Sequence, residues 1–347
     1  MSSDYSVPQM EERAWKPSVC VVTVTYGDRR GYLSQTLKSI ESQTYKVDSV
    51  IIVDNGSCYP LDEILAQFPI TYHLIRFESN EGSAVGFSAG IQAALHTQAD
   101  LIWLLDDDNK PQPTSLSEAV KLHLESQDTV LCTRTTPGFG LRLSCKTSVN
   151  GFLGFNVADT LNGMGKIWSS VFRHGRQKDD YTSRCSNVSE LIDIAPYGGL
   201  LIRAELIKRI GLPREDFVTY ADDTEWTSRI VKNGGRIQRC RDAFLVDLDP
   251  SWNQRVGRVN PIVSPNVGLY RIYYGVRNQT YLDFRSASNK WLFYLNVGIR
   301  ASVIVFNLIL FSSDTYASLK RFGVFLKAVT DGIRGRLGYR LEYENSR

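Results

Sequence analysis

Two acidic strings in this 347-residue chain carry the residue types of metal-assisted and acid–base chemistry. The first is Asp106-Asp107-Asp108, set directly after the apolar run Leu101-Ile102-Trp103-Leu104-Leu105 and ahead of Asn109, Lys110 and Pro111. Side chains alternate along an extended segment, which would put Asp106 and Asp108 on one face and Asp107 on the other. Two carboxylates on one face repel each other unless a proton or a cation lies between them. Hard oxygen donors of this kind suit Mg²⁺ or Mn²⁺, which takes one or two carboxylates plus substrate phosphates. A solvated acidic turn would explain the triplet alone. The second string is Asp222-Asp223-Thr224-Glu225-Trp226, at the predicted start of a helix that carries Ile230 and Val231 on its apolar face and stops at Gly234-Gly235. One aspartate would serve as an N-cap. Two of them, followed by Glu225 and Trp226, exceed that need. A Trp226 exposed on the first turn would offer a sugar ring a flat apolar platform; an ordinary core tryptophan is the alternative.

The elements that must position these residues follow from hydrophobic period. Val19–Tyr26, residues 49–54 and Leu101–Leu105 are short β-branched or apolar runs suited to strands buried on both faces, and Ile70–Phe77 is a further strand. Helical spacing appears between them, at Leu33, Leu37 and Ile40, over 61–68, and from Asn80-Glu81-Gly82-Ser83 to about His96. Strand and helix alternating at this spacing predict an α/β fold, a doubly wound and mostly parallel sheet. Ligands of such sheets sit beyond the carboxyl ends of the strands, where Thr25, Tyr26, Asp54 and Asp106–Asp108 all lie. A helix over 116–124, a strand over 129–133 and strands over 236–249 ending in Asp247-Leu248-Asp249 complete this part. Gly198-Gly199, between two apolar runs, allow close backbone approach to a ligand or to another strand. The segment 134–190 is aperiodic, and substrate selectivity often resides in such segments. The G-x-G-x-x-G and P-loop patterns are both absent.

Composition narrows the class. Hydrophobic residues make up 43% and charged residues 22%, the balance of a core-forming globular protein. A net charge of +3 is too small to argue for nucleic acid. Six cysteines without a CxxC pair point to reduced thiols and a cytoplasmic setting. The polar start of the chain has no apolar core of a signal peptide. Residues 290–311 are about as long as a membrane span, but Arg300 lies near the centre, which favours an interfacial or protein-packed helix. Residues 319–337 interleave Leu319, Phe322, Phe325, Leu326, Val329 and Ile333 with basic residues, a pattern suited to an anionic bilayer surface or to packing on the main domain.

Taken in order, these strings resemble the family 2 inverting glycosyltransferases of the GT-A nucleotide-sugar fold. The resemblance is carried by Val22–Tyr26, Ile52-Val53-Asp54-Asn55-Gly56-Ser57, Asn80-x-Gly82, Leu105–Asp108, Gly198-Gly199 and Asp222-Asp223-x-Glu225-Trp226. The string Trp103–Asp108, Tyr273-Tyr274-x-x-Arg277-Asn278 and Asp331–Gly338 are most similar to the galactofuranosyl- and rhamnosyltransferase branch. The resemblance implies a 1–17 arm, a catalytic domain over 18–265 (nucleotide-binding half 18–133, acceptor half 134–265) and a C-terminal helical region over 266–347. It implies that Thr25, Tyr26, Asp54, Asn80, Asp106 and Asp107 surround the nucleotide, and that Asp108 holds a divalent metal, Mn²⁺ or Mg²⁺, on the diphosphate. Asp223 would be the general base, with Gly198, Gly199, Asp222, Glu225 and Trp226 around the sugars. Where the family often supplies a metal-binding histidine, this chain has Asp247. The implied donor is a nucleotide-diphosphate sugar, UDP-galactofuranose first and dTDP-rhamnose second. The implied acceptor is a glycan or lipid-linked glycan, and the implied location is cytoplasmic, at the inner face of the cytoplasmic membrane with the C-terminal region in peripheral contact. The rival readings are a sugar nucleotidyltransferase, against which the poor match of Gly27–Gly31 to a Gly-rich basic loop counts, and a non-catalytic glycan-binding protein.

Overall fold

Six strands that run the same way bring the acidic strings together. The computed structural model describes residues 16–134, 150–158, 190–249, 267–311 and 314–346. In chain order the first part comprises Val19–Gly27 (β1), Arg30–Glu41 (α1), Ser49–Ser57 (β2), Leu61–Leu65 (α2), Tyr72–Phe77 (β3), Ser83–His96 (α3) and Leu101–Asp106 (β4). Then follow Asn109–Pro111 (β5), Ser115–Ser126 (α4), Thr129–Arg134 (β6), Glu190–Ile192 (β7), Leu200–Arg203 (β8), Ala204–Ile210 (α5), Asp222–Lys232 (α6) and Ile237–Asp247 (β9).

The strands form one sheet in the order β3-β2-β1-β4-β8-β6-β9-β5, with β7 also paired to β9. β1 pairs in parallel with both β2 and β4, and β2 with β3. β8 enters antiparallel between β4 and β6, so β6 again runs with β4; β9 then pairs in parallel with β6. The carboxyl ends of β1, β2, β3, β4, β6 and β9 therefore share one edge. The turn that leads into β8 begins at that edge too. The expected α/β sheet with helices on both faces is the observed one.

Alternation along β1 divides the core. Val19 and Val21 join Leu33, Leu37 and Ile40 of α1, Leu61 of α2 and Leu116 of α4 on one face. Cys20, Val22 and Val24 pack with Phe87 and Ile91 of α3, Ile207 of α5 and Trp226 of α6 on the other. A fully buried aliphatic or aromatic side chain stabilises by about 1.5–3 kcal/mol. That both faces of the central strands are covered accounts for their near-continuous apolar runs.

A third layer consists of Leu269–Ser286 (α7), Lys290–Phe311 (α8) and Thr315–Arg334 (α9). Its core joins Tyr273, Tyr274 and Phe325 to Phe152 and Val218. Tyr273 donates its hydroxyl to the buried Asp331 carboxylate at 2.8 Å. α8 is long and apolar enough over Lys290–Ile309 to cross a bilayer by length and composition. Its Phe293, Asn296, Ile304 and Leu308 are buried, while Trp291, Leu295, Phe306 and Ile309 face outward. Cys20, Cys58, Cys132 and Cys240 are free thiols. Cys145, Cys185 and most of the 134–190 segment lie outside the described residues.

Candidate active site

The crevice at the common strand edge is organised by two arginines standing among carboxylates. β4 ends at Asp106, and Asp107-Asp108 form a turn before β5. The alternation expected of an extended chain therefore stops at Asp106, and Asp106 and Asp108 are taken by different arginines. Arg134, the last residue of β6, donates to Asp106 at 3.0 Å, to Asp247 at the end of β9 at 3.0 Å, and to the Gly198 carbonyl at 3.0 Å. Arg29, just before α1, binds Asp107 at 2.8 Å, Asp108 at 2.9 Å and Asp249 at 2.9 Å. Asn109 bridges the two groups: its amide donates to Asp247 at 3.1 Å and to Asp108 at 3.5 Å, and its Oδ1 accepts the Asp106 backbone N–H at 3.0 Å.

The charges do not balance within this cluster: five carboxylates meet two guanidinium groups. Burial, with repulsion from Asp106 and Asp107, pushes the Asp108 pKa up to about 7. Burial also pushes Asp107 up to about 6, in spite of Arg29. Burial opposes the charge of Arg29, but the surrounding aspartates outweigh it and raise its pKa. Surplus negative charge on hard oxygen donors is the environment that a divalent cation fits. Among the described residues no three such side chains are gathered closely enough to hold a metal by themselves, so Asp108 and Asp247 would need oxygens of a bound diphosphate to complete a site. Asp107 is a different case from the expectation. It is 3% exposed and turned onto Arg29, so it supports the crevice from beneath rather than lining it.

Gly198 sits where these groups converge. A Cβ there would overlap Asn109 Oδ1, Arg134 Nη2 and Asp106 Oδ2. Only glycine admits the backbone this close to the carboxylates. Gly199, at a φ of +92°, packs instead against Leu245 and Cys132 beneath the crevice.

On the nucleotide side, Tyr26 is half-exposed beside Arg29, whose guanidinium lies 5.1 Å from the ring centroid. Asp54 accepts the Ser57 N–H at 2.8 Å, and Arg76 stands 3.8 Å from its carboxylate. Asn80 accepts the Gly82 N–H at 2.9 Å and the Asn55 amide at 3.3 Å. Thr25 departs from its expected place: it is fully buried and shares a hydrogen bond with Tyr59 at 2.9 Å, which makes it a support under the pocket.

The second acidic string opens α6 after a strained turn. Val218, Tyr220 and Ala221 all have positive φ, at 66°, 64° and 59°. Left-handed backbone costs about 1–2 kcal/mol at each such non-glycine residue, so tertiary contacts must hold it. One of these is Gly82, at φ +95°, whose missing side chain leaves room for the Val218 carbonyl; that carbonyl also accepts the Ala84 N–H at 3.1 Å. Asp222 is 3% exposed and accepts the Ser83 hydroxyl at 3.1 Å. Asp223 is partly exposed and accepts the Thr224 N–H at 2.6 Å and hydroxyl at 3.2 Å, both on Oδ1. Burial raises the pKa of each. Asp223 adds repulsion at Asp222, which rises to about 7, and at Asp223 the charges of Asp106 and Arg134 pull in opposite directions. The two acidic strings are thus close enough to act on each other electrostatically.

Glu225 and Trp226 are placed otherwise than expected. Glu225 forms an i,i+4 pair with Arg229 at 2.5 Å. Trp226 is 0% exposed, donates its indole N–H to the Gly211 carbonyl at 2.8 Å and packs beside Tyr197, so it is a core residue and offers no sugar platform. The reason is helical phase: Trp226 and Ile230, one turn apart, lie on the face of α6 that meets the sheet. Arg29 and Arg134 were not among the residues picked out from sequence. The signal for Arg134 was available, since it ends a strand whose carboxyl end reaches the crevice.

Comparison with known proteins agrees with this geometry. Residues 20–172 match the family described as Glycosyl transferase family 2. Galactofuranosyltransferase GlfT1 of Mycolicibacterium smegmatis is 27% identical over 227 residues, covering 65% of this chain and 69% of its own. The dTDP-rhamnosyl transferase RfbF of Shigella flexneri is 25% identical over 341 residues, covering 92% of this chain and 97% of its own. Among solved structures, mannosyltransferase PcManGT from Pyrobaculum calidifontis, in complex with GDP-Man and Mn²⁺, superposes with a TM-score of 0.53 at 15% identity, over 93% of this chain and 89% of that one. S. aureus TarS does so with a TM-score of 0.51 at 13% identity, over 92% and 82%. Residues 20–172 thus match the family 2 glycosyltransferases, and the chain has the GT-A fold of the glycosyltransferases it superposes on.

Proposed function

We propose that this transferase moves a hexose, galactofuranose from UDP-galactofuranose, onto a hydroxyl of a glycan or lipid-linked glycan with inversion at the anomeric carbon. The observation that carries this reading is the pairing of a cation-hungry carboxylate cluster around Asp108 with a separate, partly exposed carboxylate at Asp223 across the same crevice. Tyr26, Asp54 and Asn80 hold the nucleotide, within a nucleotide-binding half over 18–133. Asp223 takes the proton of the acceptor hydroxyl as that oxygen attacks the anomeric carbon, and the bond to the diphosphate oxygen breaks on the opposite side. Asp108 and Asp247, with oxygens of the diphosphate, would hold a divalent cation, which when bound neutralises charge on the departing diphosphate. Arg134 supplies a fixed positive charge beside them. The likeness to GlfT1 supports the galactofuranosyl donor over the rhamnosyl one, for which RfbF is the precedent.

Thermal denaturation with UDP or dTDP, each with Mn²⁺, Mg²⁺ or a chelator, tests the donor and the cation together. A ligand at about 100 times its dissociation constant adds roughly 2.7 kcal/mol of stability. The expected result is a shift with UDP that the chelator removes. A shift with dTDP alone would move the donor to dTDP-rhamnose, and a chelator-insensitive shift would remove the cation.

The lipid-linked acceptor and a cytosolic, peripheral position at the membrane are supported by the outer surface of α8 and α9. Trp291, Phe306 and Ile309 on α8 are exposed, as are Tyr316 and Leu319 on α9, where the exposed Lys320 follows; Lys327, further along α9, is paired with Glu342. Apolar and aromatic side chains flanked by lysines suit an anionic bilayer surface. The purified chain should co-sediment with vesicles containing phosphatidylglycerol, and a Phe306→Ser/Ile309→Ser variant should not. Equal recovery of both proteins in the pellet would dismiss this surface.

A further inference from the structure

We infer that Arg277 and Asn278 of α7 are positioning residues that set the general base through the backbone in front of it, an inference that rests on Asp223 acting as that base. The two residues follow one another in the motif Tyr273-Tyr274-x-x-Arg277-Asn278, and both side chains are fully buried. Neither touches the crevice. They reach instead the carbonyls of the strained turn that precedes α6.

The two N–H groups of the Asn278 amide are shared among three carbonyls of the turn: Phe217 at 2.8 Å, Thr219 at 2.7 Å and Tyr220 at 2.9 Å. Its orientation is unambiguous. Arg277 Nε donates to Asn278 Oδ1 at 2.8 Å, and a guanidinium can only donate, so the amide NH₂ must face the turn. Arg277 then adds its own donors to the same backbone. Nη2 reaches the carbonyls of Phe217 at 3.0 Å and Asp216 at 3.3 Å, and Nη1 reaches Gly338 at 2.6 Å. Its faces are covered by Tyr274 and Tyr273, with ring centroids 4.6 and 5.5 Å away.

This is an expensive arrangement to keep. A buried cation normally finds a carboxylate. Here the described partners of Arg277 are carbonyl oxygens, a side-chain amide and aromatic faces, and burial lowers its pKa. What the arrangement secures is a turn with left-handed residues at Val218, Tyr220 and Ala221, by adding buried side-chain donors at the carbonyls of Asp216, Phe217, Thr219 and Tyr220. Strain of this kind persists only where its surroundings over-determine it. The residue next after that turn is Asp222, and then Asp223. α3 grips the turn from the other side, through Ala84 to Val218 and through Ser83 to Thr219 and Asp222. The turn is thus held between α3 and the C-terminal layer, and Arg277 and Asn278 act on the base through the backbone.

Asn278→Asp keeps the shape of the side chain and removes the amide donors; Arg277→Lys keeps the charge and removes the fork. Each is compared with the wild type by UDP binding in calorimetry, by kcat and KM with UDP-galactofuranose, and by hydrogen exchange of the 216–222 backbone. The expected result is UDP affinity within about threefold of wild type and a kcat roughly 100-fold lower, the scale of a small misplacement of a reacting group. Exchange in 216–222 rises while that of β1 to β4 is unchanged. A folded variant with unaltered kcat overturns the inference. So does a parallel loss of UDP affinity, kcat and sheet protection, which would make the pair general scaffolding. If the wild type itself turns over no UDP-sugar, the donor reading fails, and local exchange in 216–222 still decides whether the pair holds the turn.

Discussion

Asp223→Asn is expected to lower kcat by at least about 10²–10⁴-fold, the range that a positioned general base contributes, while UDP affinity stays close to wild type. The substitution keeps size and hydrogen-bonding shape, including an oxygen for the Thr224 N–H, but the amide cannot take a proton. In the proposed mechanism the donor is bound by groups at the ends of β1, β2 and β4, so its affinity is expected to be insensitive. Steady-state kinetics alongside calorimetry with UDP separates the two effects; an asparagine variant with more than a tenth of wild-type turnover would remove Asp223 from the mechanism. The wild type should also show its acid limb above the usual carboxylate range, because burial raises the Asp223 pKa. Stability should follow the opposite trend. Asp222 binds its proton more tightly folded than unfolded, with a pKa of about 7 against an ordinary 3.8. The folded chain therefore holds the extra proton between those values, and this contribution to stability falls as pH rises through that window.

The second large effect is expected at Arg134. Replacing it with methionine keeps much of the volume but leaves Asp106 and Asp247 without their shared counter-ion. Removing one partner of a buried pair typically costs about 3–5 kcal/mol. The lower end applies here, since the Asp106 side chain is 36% exposed and water can screen it. Urea denaturation of the variant should show that loss, and Mn²⁺ or Mg²⁺ should restore part of it, because a divalent cation can take over charge that the guanidinium balanced. Arg134→Lys should be milder in stability but still impaired in catalysis, since one ammonium cannot span Asp106, Asp247 and the Gly198 carbonyl. A loss under about 1 kcal/mol would place Arg134 with ordinary surface pairs, and indifference of the variant to cations would speak against a cation site at these carboxylates.

The parallel sheet was legible because its strands are buried on both faces. Val19–Tyr26 and Leu101–Leu105 have little choice but to be strands, and the end of each strand marks the crevice. Asp247 was legible on the same grounds, as the end of a strand, whereas Asp223 opens a helix and its role was implied by the family resemblance alone. What alternation could not supply was the point at which the strand stops. Two residues of turn after Asp106 were enough to hand Asp108 to Arg29 and Asp106 to Arg134. Nor does an arginine in a sequence announce its partner: Arg29 and Arg134 are separated from the carboxylates they bind by long stretches of chain, and only the sheet order joins them. Trp226 went the other way for a simple reason. Its place on the first turn suggested exposure, but the phase of α6 relative to Ile230 turns it inward.

The grip of α7 on the turn before α6 also has a consequence for biogenesis. A chain emerging from the ribosome releases β1 to β4 and their helices first, and domains tend to fold as they emerge. The nucleotide-facing residues can therefore be assembled while Arg277, Asn278 and the Gly338 carbonyl are still unmade. Until they arrive, the left-handed turn at 218–221 is held by α3 alone and lacks the donors of Arg277 and Asn278. A nascent enzyme of this design would sequester an activated sugar before it could spend it, and the last helices to dock would act as the release of a safety catch.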